Sequence, residues 1–87
     1  MPESYLKKIR DSVWKVFPFI EFDYTRAWCG DDTLTMKCCY KNKLYKREVE
    51  ISQNFTNIAE PKEFDAMAEK IIKEAIRYFS NEFIRER

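Results

Sequence analysis

Carboxylates, thiols and cations are the side chains of this 87-residue chain whose types and spacing suggest chemistry. Glu21 and Asp23 stand two residues apart, as do Glu48 and Glu50. In an extended strand that spacing puts both members of a pair on one face. Two carboxylates so placed could serve a hydrolase if a water-poor cleft pushed their pKa values apart. On an open strand surface they are instead a solvated face balanced by cross-strand lysines, which is the expected reading. Asp31-Asp32 follows the single glycine and reads as turn chemistry. The cysteines Cys29, Cys38 and Cys39 are odd in number and irregularly spaced. They specify neither a disulfide framework nor a structural zinc site. Histidine is absent, so the commonest general base and metal ligand is missing. One glycine also leaves no phosphate-cradling loop. No catalytic residue, metal or cofactor is expected.

The stretch KCCYKNKLYKREVEI, residues 37–51, gathers Lys37, Lys41, Lys43, Lys46 and Arg47. Such a cluster can contact an acidic protein surface or a few phosphates, weakly and in a salt-sensitive way. It can also simply keep a hairpin soluble and discourage strand-edge pairing. The whole chain carries 16 basic and 15 acidic residues for a net charge of +1, so only a local patch could attract a polyanion. Strand alternation puts Arg26 and Arg47 on the apolar side of a sheet, where arginines rarely sit unpaired. They are expected to leave at the sheet edges or to pair with a helix carboxylate such as Asp11 or Glu69. The sharper reading is an anion site between them. Tyr5, Trp14, Phe19, Phe55 and Tyr78 fit no buried stripe. Tyrosine and tryptophan are typical interface anchors, so Tyr5, Trp14 and Phe19 join the basic residues as partner-binding candidates.

Five elements must position these groups. Leu6, Ile9, Val13, Val16 and Phe17 mark a helix over residues 3–17, closed by Pro18. Ile20, Phe22, Tyr24 and Trp28 alternate through a strand over 19–28. Leu34, Met36, Cys38 and Tyr40 do the same over 34–40. A turn centred on Asn42-Lys43 would pair Tyr40 with Tyr45, Met36 with Val49 and Leu34 with Ile51. Residues 52–60 read as a loop. Pro61 opens a last helix whose stripe runs through Phe64, Ala68, Ile71, Ala75 and Phe79 to about residue 85. The fold class is therefore α+β, a single domain over residues 1–87 ordered α-β-β-β-α. It is a three-stranded antiparallel meander with both helices packed on its one apolar face. The other face would show Glu21, Asp23, Thr35, Lys37, Cys39, Lys46, Glu48 and Glu50. MPESYLKKIRDSVWKV reads as an amphipathic helix rather than a signal peptide, and no apolar run approaches the ~20 residues of a membrane span. A cytoplasmic chain with reduced thiols is expected.

This order resembles the double-stranded-RNA-binding domain, which also lays both helices on one sheet face. The resemblance implies RNA contacts from the first helix, the loop between the first two strands and the start of the last helix. Here that loop is CGDDT, and the last helix opens PKEFDAMAEK. Both bring carboxylates to positions where phosphate would approach. No functional residue carries over. The expected role is a non-enzymatic protein-binding module, a small inhibitor or adaptor of the phage or mobile-element type, docking on a larger protein. Nucleic-acid binding through the basic hairpin is the alternative, and self-association through an exposed strand edge or through the long last helix is a third.

Overall fold

Pro18 decides where the first helix stops. In the computed structural model, which describes residues 2–85, α1 spans Glu3–Trp14. Proline has no N–H to donate and disfavours helical dihedrals at Phe17. The chain therefore closes with short bonds from the Val16 and Phe17 amides to the Val13 carbonyl, 3.0 and 2.8 Å. Ile9 and Val13 are fully buried, whereas Val16 lies past the helix end and is 49% exposed. The expected stripe thus ends at Val13, with Leu6 and Phe17 packed at its margins.

The meander is β1 (Glu21–Thr25), β2 (Asp31–Tyr40) and β3 (Lys43–Ser52), antiparallel and in the order β1-β2-β3. β1 is shorter than the alternation suggests. Beyond Thr25 the chain bends so that the Ala27 N–H reaches the Asp32 carboxylate. Trp28, expected on the apolar face, is fully exposed in the resulting loop. The hairpin register also differs from expectation. The turn is Lys41-Asn42, both with positive φ, and β2 pairs with β3 as Tyr40 with Lys43, Cys38 with Tyr45, Met36 with Arg47 and Leu34 with Val49. Two successive positive φ values are the signature of a type I′ turn, whose twist matches the flanking strands. The shift is two residues, so every side chain keeps its face.

α3 spans Pro61–Arg85 and buries Phe64, Ala68, Ile71, Ala75, Phe79 and Phe83. Residues 52–60 are not an irregular loop. They contain a short helix, α2 (Gln53–Ile58), whose Phe55 ring packs edge-on against Phe64 at 5.3 Å. Six residues are too few to display a helical period. α1 is tied to α3 by the Tyr5 ring stacked on Phe64 at 5.2 Å, the Tyr5 hydroxyl donating to the Pro61 carbonyl at 3.3 Å, and a Lys8–Asp65 ion pair at 3.5 Å.

Both long helices lie on one face of the sheet. Ile9, Val13, Leu34, Met36, Cys38, Tyr45, Ile51 and the α3 stripe form one buried cluster. Each fully buried aliphatic or aromatic side chain contributes roughly 1.5–3 kcal/mol before the entropy of ordering it is set against that. The opposite face is open and bears Glu21, Asp23, Lys37, Cys39, Lys46, Glu48 and Glu50, all exposed. Leu44 joins it at the hairpin end. Among the described residues no helix is long and apolar enough to cross a membrane.

Candidate protein-docking surface

The hairpin turn brings two sequence features to one place. Tyr40 closes the turn opposite Lys43. Its ring lies 4.4 Å from that of Phe83 at the end of α3 and 6.5 Å from Phe19, nearly parallel at 14°. Phe19 in turn meets Phe83 at 5.7 Å and Phe17 at 6.0 Å. Pro18 fixes the backbone between these last two rings. The result is an aromatic cap on the core whose outermost member, Phe19, is 46% exposed. The Lys41 ammonium lies 5.6 Å from the Tyr40 ring centroid, a cation–π distance. Val16, Leu44 and Ile84, neighbours in chain or register of these residues, are 49, 66 and 60% exposed. This end of the molecule is apolar, cationic and held rigid by ring contacts.

The remaining sequence candidates are dispersed. Lys37 and Lys46 face each other across β2 and β3 on the open sheet face, and Lys46 is ion-paired with Glu48 at 2.8 Å. Arg47 points to the other side, where its guanidinium stacks over Tyr78 at 5.5 Å. The five basic residues therefore do not form one patch. Tyr5 is engaged with Phe64 and Pro61. Trp14 clamps α1 to the entrance of β1. Its indole N–H donates to the Ile20 carbonyl at 2.7 Å, its ring meets Phe22 edge-on, and Arg10 covers it at 4.8 Å. Arg26 and Arg47 are both exposed. They belong to opposite edges of the sheet and to levels four residues apart along β2, a separation on the order of 15 Å. They do not converge on one anion.

The opposite end of the sheet holds a polar network that strand alternation alone could have revealed, because Asp32 shares the face of Leu34 and Met36. Asp32 is 4% exposed. Its Oδ2 accepts from the Tyr24 hydroxyl at 2.6 Å, and its Oδ1 accepts from the Ala27 N–H and the Gln53 side-chain amide, both at 3.1 Å. Gln53 also donates to the Ala27 carbonyl at 2.8 Å. The network thus joins β1, the loop after it, β2 and the first turn of α2. The hydrogen bond from Tyr24, then those from Gln53 and Ala27, hold the Asp32 carboxyl below the usual carboxylate range against the opposing effect of burial. Burial, with the bond to Asp32 and its charge, holds the Tyr24 phenol above its ordinary value. Burial likewise raises the Cys38 thiol, reinforced by Cys39 and Glu21, which keeps it a poor nucleophile at neutral pH.

A pH dependence follows. The folded state binds the Asp32 proton more weakly than the unfolded chain, whose carboxyl titrates near pH ~3.9. The stabilising contribution is therefore complete above that pH and is lost as pH falls through the depressed folded value. In urea titrations at descending pH, wild type is expected to lose stability below pH ~4 faster than Asp32→Asn, which has no carboxyl to protonate. Parallel losses in the two proteins would contradict the assignment.

No protein-family model, curated protein or solved structure matches this chain.

Proposed function

We propose that this chain is a non-enzymatic protein-binding module, a small inhibitor or adaptor that docks on a larger protein through its hairpin end. The observation that carries the reading is the exposed Phe19 ring stacked on Tyr40 beside Lys41. Preorganised aromatic side chains next to a cation are what interface anchors consist of, since little further ordering entropy is lost on binding. The partner chemistry follows from the surroundings. Lys41 and Lys43 sit at this end, whereas Asp31 lies at the start of β2, about 30 Å away along the strand. A surface so polarised suits an acidic protein patch containing an apolar recess.

A non-catalytic role is supported by the setting of the carboxylates. Glu21, Asp23, Glu48 and Glu50 all stand exposed to water on the open face, whereas acid–base chemistry by paired carboxylates uses a water-poor setting. Those same four groups flank Lys37 and Lys46, so a nucleic acid laid on this face would meet more negative than positive charge.

The test is a pull-down from lysate with and without nuclease, comparing wild type with Lys41→Glu/Lys43→Glu. A protein captured in the presence of nuclease and at physiological salt, and lost with the double variant, is the expected result. Recovery of nucleic acid alone, falling steeply with added salt, would establish the RNA- or DNA-binding alternative instead.

A further inference from the structure

The outer edge of β3 is ten residues long, and among the described residues no strand pairs with it. Its charges are not scattered. The first half carries Lys43, Lys46 and Arg47, the second half Glu48 and Glu50. An edge guarded by one sign of charge repels every copy of itself. An edge with segregated signs repels a parallel copy and attracts an antiparallel one. We propose that β3 pairs with β3 of a second copy of this chain, antiparallel about a two-fold axis, so that two meanders join into one six-stranded sheet.

The hydrogen-bond pattern permits this. Tyr40 and Lys43 close a two-residue turn and so form a hydrogen-bonded pair. Alternation then turns the backbone groups of Leu44, Lys46, Glu48 and Glu50 outward. The Lys46 carbonyl fits this assignment, since it accepts from the Tyr78 hydroxyl at 3.2 Å rather than from β2. A carbonyl has two lone pairs, so one stays available to an incoming amide.

Of the registers that keep both helix-bearing faces on the same side, two set Lys46 against a glutamate of the second copy. One sets Arg47 against Arg47 of the second copy. The other sets Lys46 against Glu50, Tyr45 against Ile51 and Glu48 against Glu48 of the second copy. In the second register each Glu48 carboxylate already has the Lys46 ammonium of its own chain at 2.8 Å, so the like-charge contact is neutralised. Arg47 of the second copy then falls opposite Val49. Val49 lines a 410 Å³ groove between β3 and α3 together with Met67, and the groove's charged lining of Glu50, Glu63, Glu74 and Lys70 is net negative. The second register is the one the charges select.

Sedimentation velocity across the micromolar to millimolar range tests the pairing. Wild type is expected to approach twice its monomer mass of 10.6 kDa as concentration rises. Lys46→Glu alone, or Glu50→Lys alone, sets like charges opposite each other and is expected to weaken the dimer about tenfold or more. Lys46→Glu/Glu50→Lys exchanges the signs and is expected to restore it. Glu48→Pro removes an outward N–H at a position where an edge strand tolerates proline. It is expected to be monomeric while keeping a native circular dichroism spectrum. A wild type that stays monomeric throughout overturns the proposal. So does a double exchange no tighter than the single variants, or a folded Glu48→Pro that still dimerises.

Discussion

Phe79→Ala is expected to cost about 3–5 kcal/mol, the range for deleting a large buried ring from a packed core. Phe79 is fully buried. It contacts Tyr78 edge-on at 5.0 Å and Phe83 at 5.8 Å on its own helix, within the same cluster as Ile9 and Met36. A domain of 87 residues has a total stability on the order of 4–13 kcal/mol. Losing this one ring therefore consumes a large fraction of what holds both helices to the sheet. Ile84, on the same helix, is 60% exposed, and Ile84→Ala is expected to change stability by less than about 0.5 kcal/mol. Urea unfolding of the two variants checks the contrast. Similar midpoints for both would mean that α3 does not cover the sheet as described.

Phe19→Ala is expected to separate binding from folding. The ring is half exposed, so its removal forfeits part of its burial and its contacts with Tyr40, Phe83 and Phe17, about 1–2 kcal/mol and well below the cost at Phe79. At the centre of a docking surface the same deletion is worth about 2 kcal/mol or more, which is a roughly 30-fold loss of affinity. Calorimetry or surface capture with the recovered partner would show that loss, alongside a urea midpoint shifted far less than that of Phe79→Ala. Unchanged affinity would remove Phe19 from the interface.

The fold was legible because alternation assigns faces with little ambiguity. Leu34, Met36 and Cys38 fall on the buried side of β2 as their parity requires. The period of α3 likewise located Phe64, Ala68, Ile71, Ala75 and Phe79. Register was less legible. Pairings that differ by two residues preserve every face, so apolar matching could not choose between a turn at Asn42-Lys43 and the observed turn at Lys41-Asn42. The observed register sets Arg47 beside Met36, which costs little because β3 is an edge and the guanidinium escapes over Tyr78. Trp28 and Asp32 exchanged their expected roles for one reason. The chain leaves the strand after Thr25 to satisfy a buried carboxylate, exposing the tryptophan. The hairpin-end surface had no local signature, because Phe19, Tyr40 and Phe83 come from the linker after α1, the end of β2 and the end of α3.

Trp28, fully exposed at the far end of the sheet, is the aromatic rival to Phe19 as an anchor. A photo-reactive phenylalanine analogue placed at position 19 in one protein and at position 28 in another decides between them, when each is irradiated in the lysate that yields the captured partner. Adducts to that partner from position 19, and none from position 28, are the expected result. Adducts from position 28 alone would contradict docking through the hairpin end.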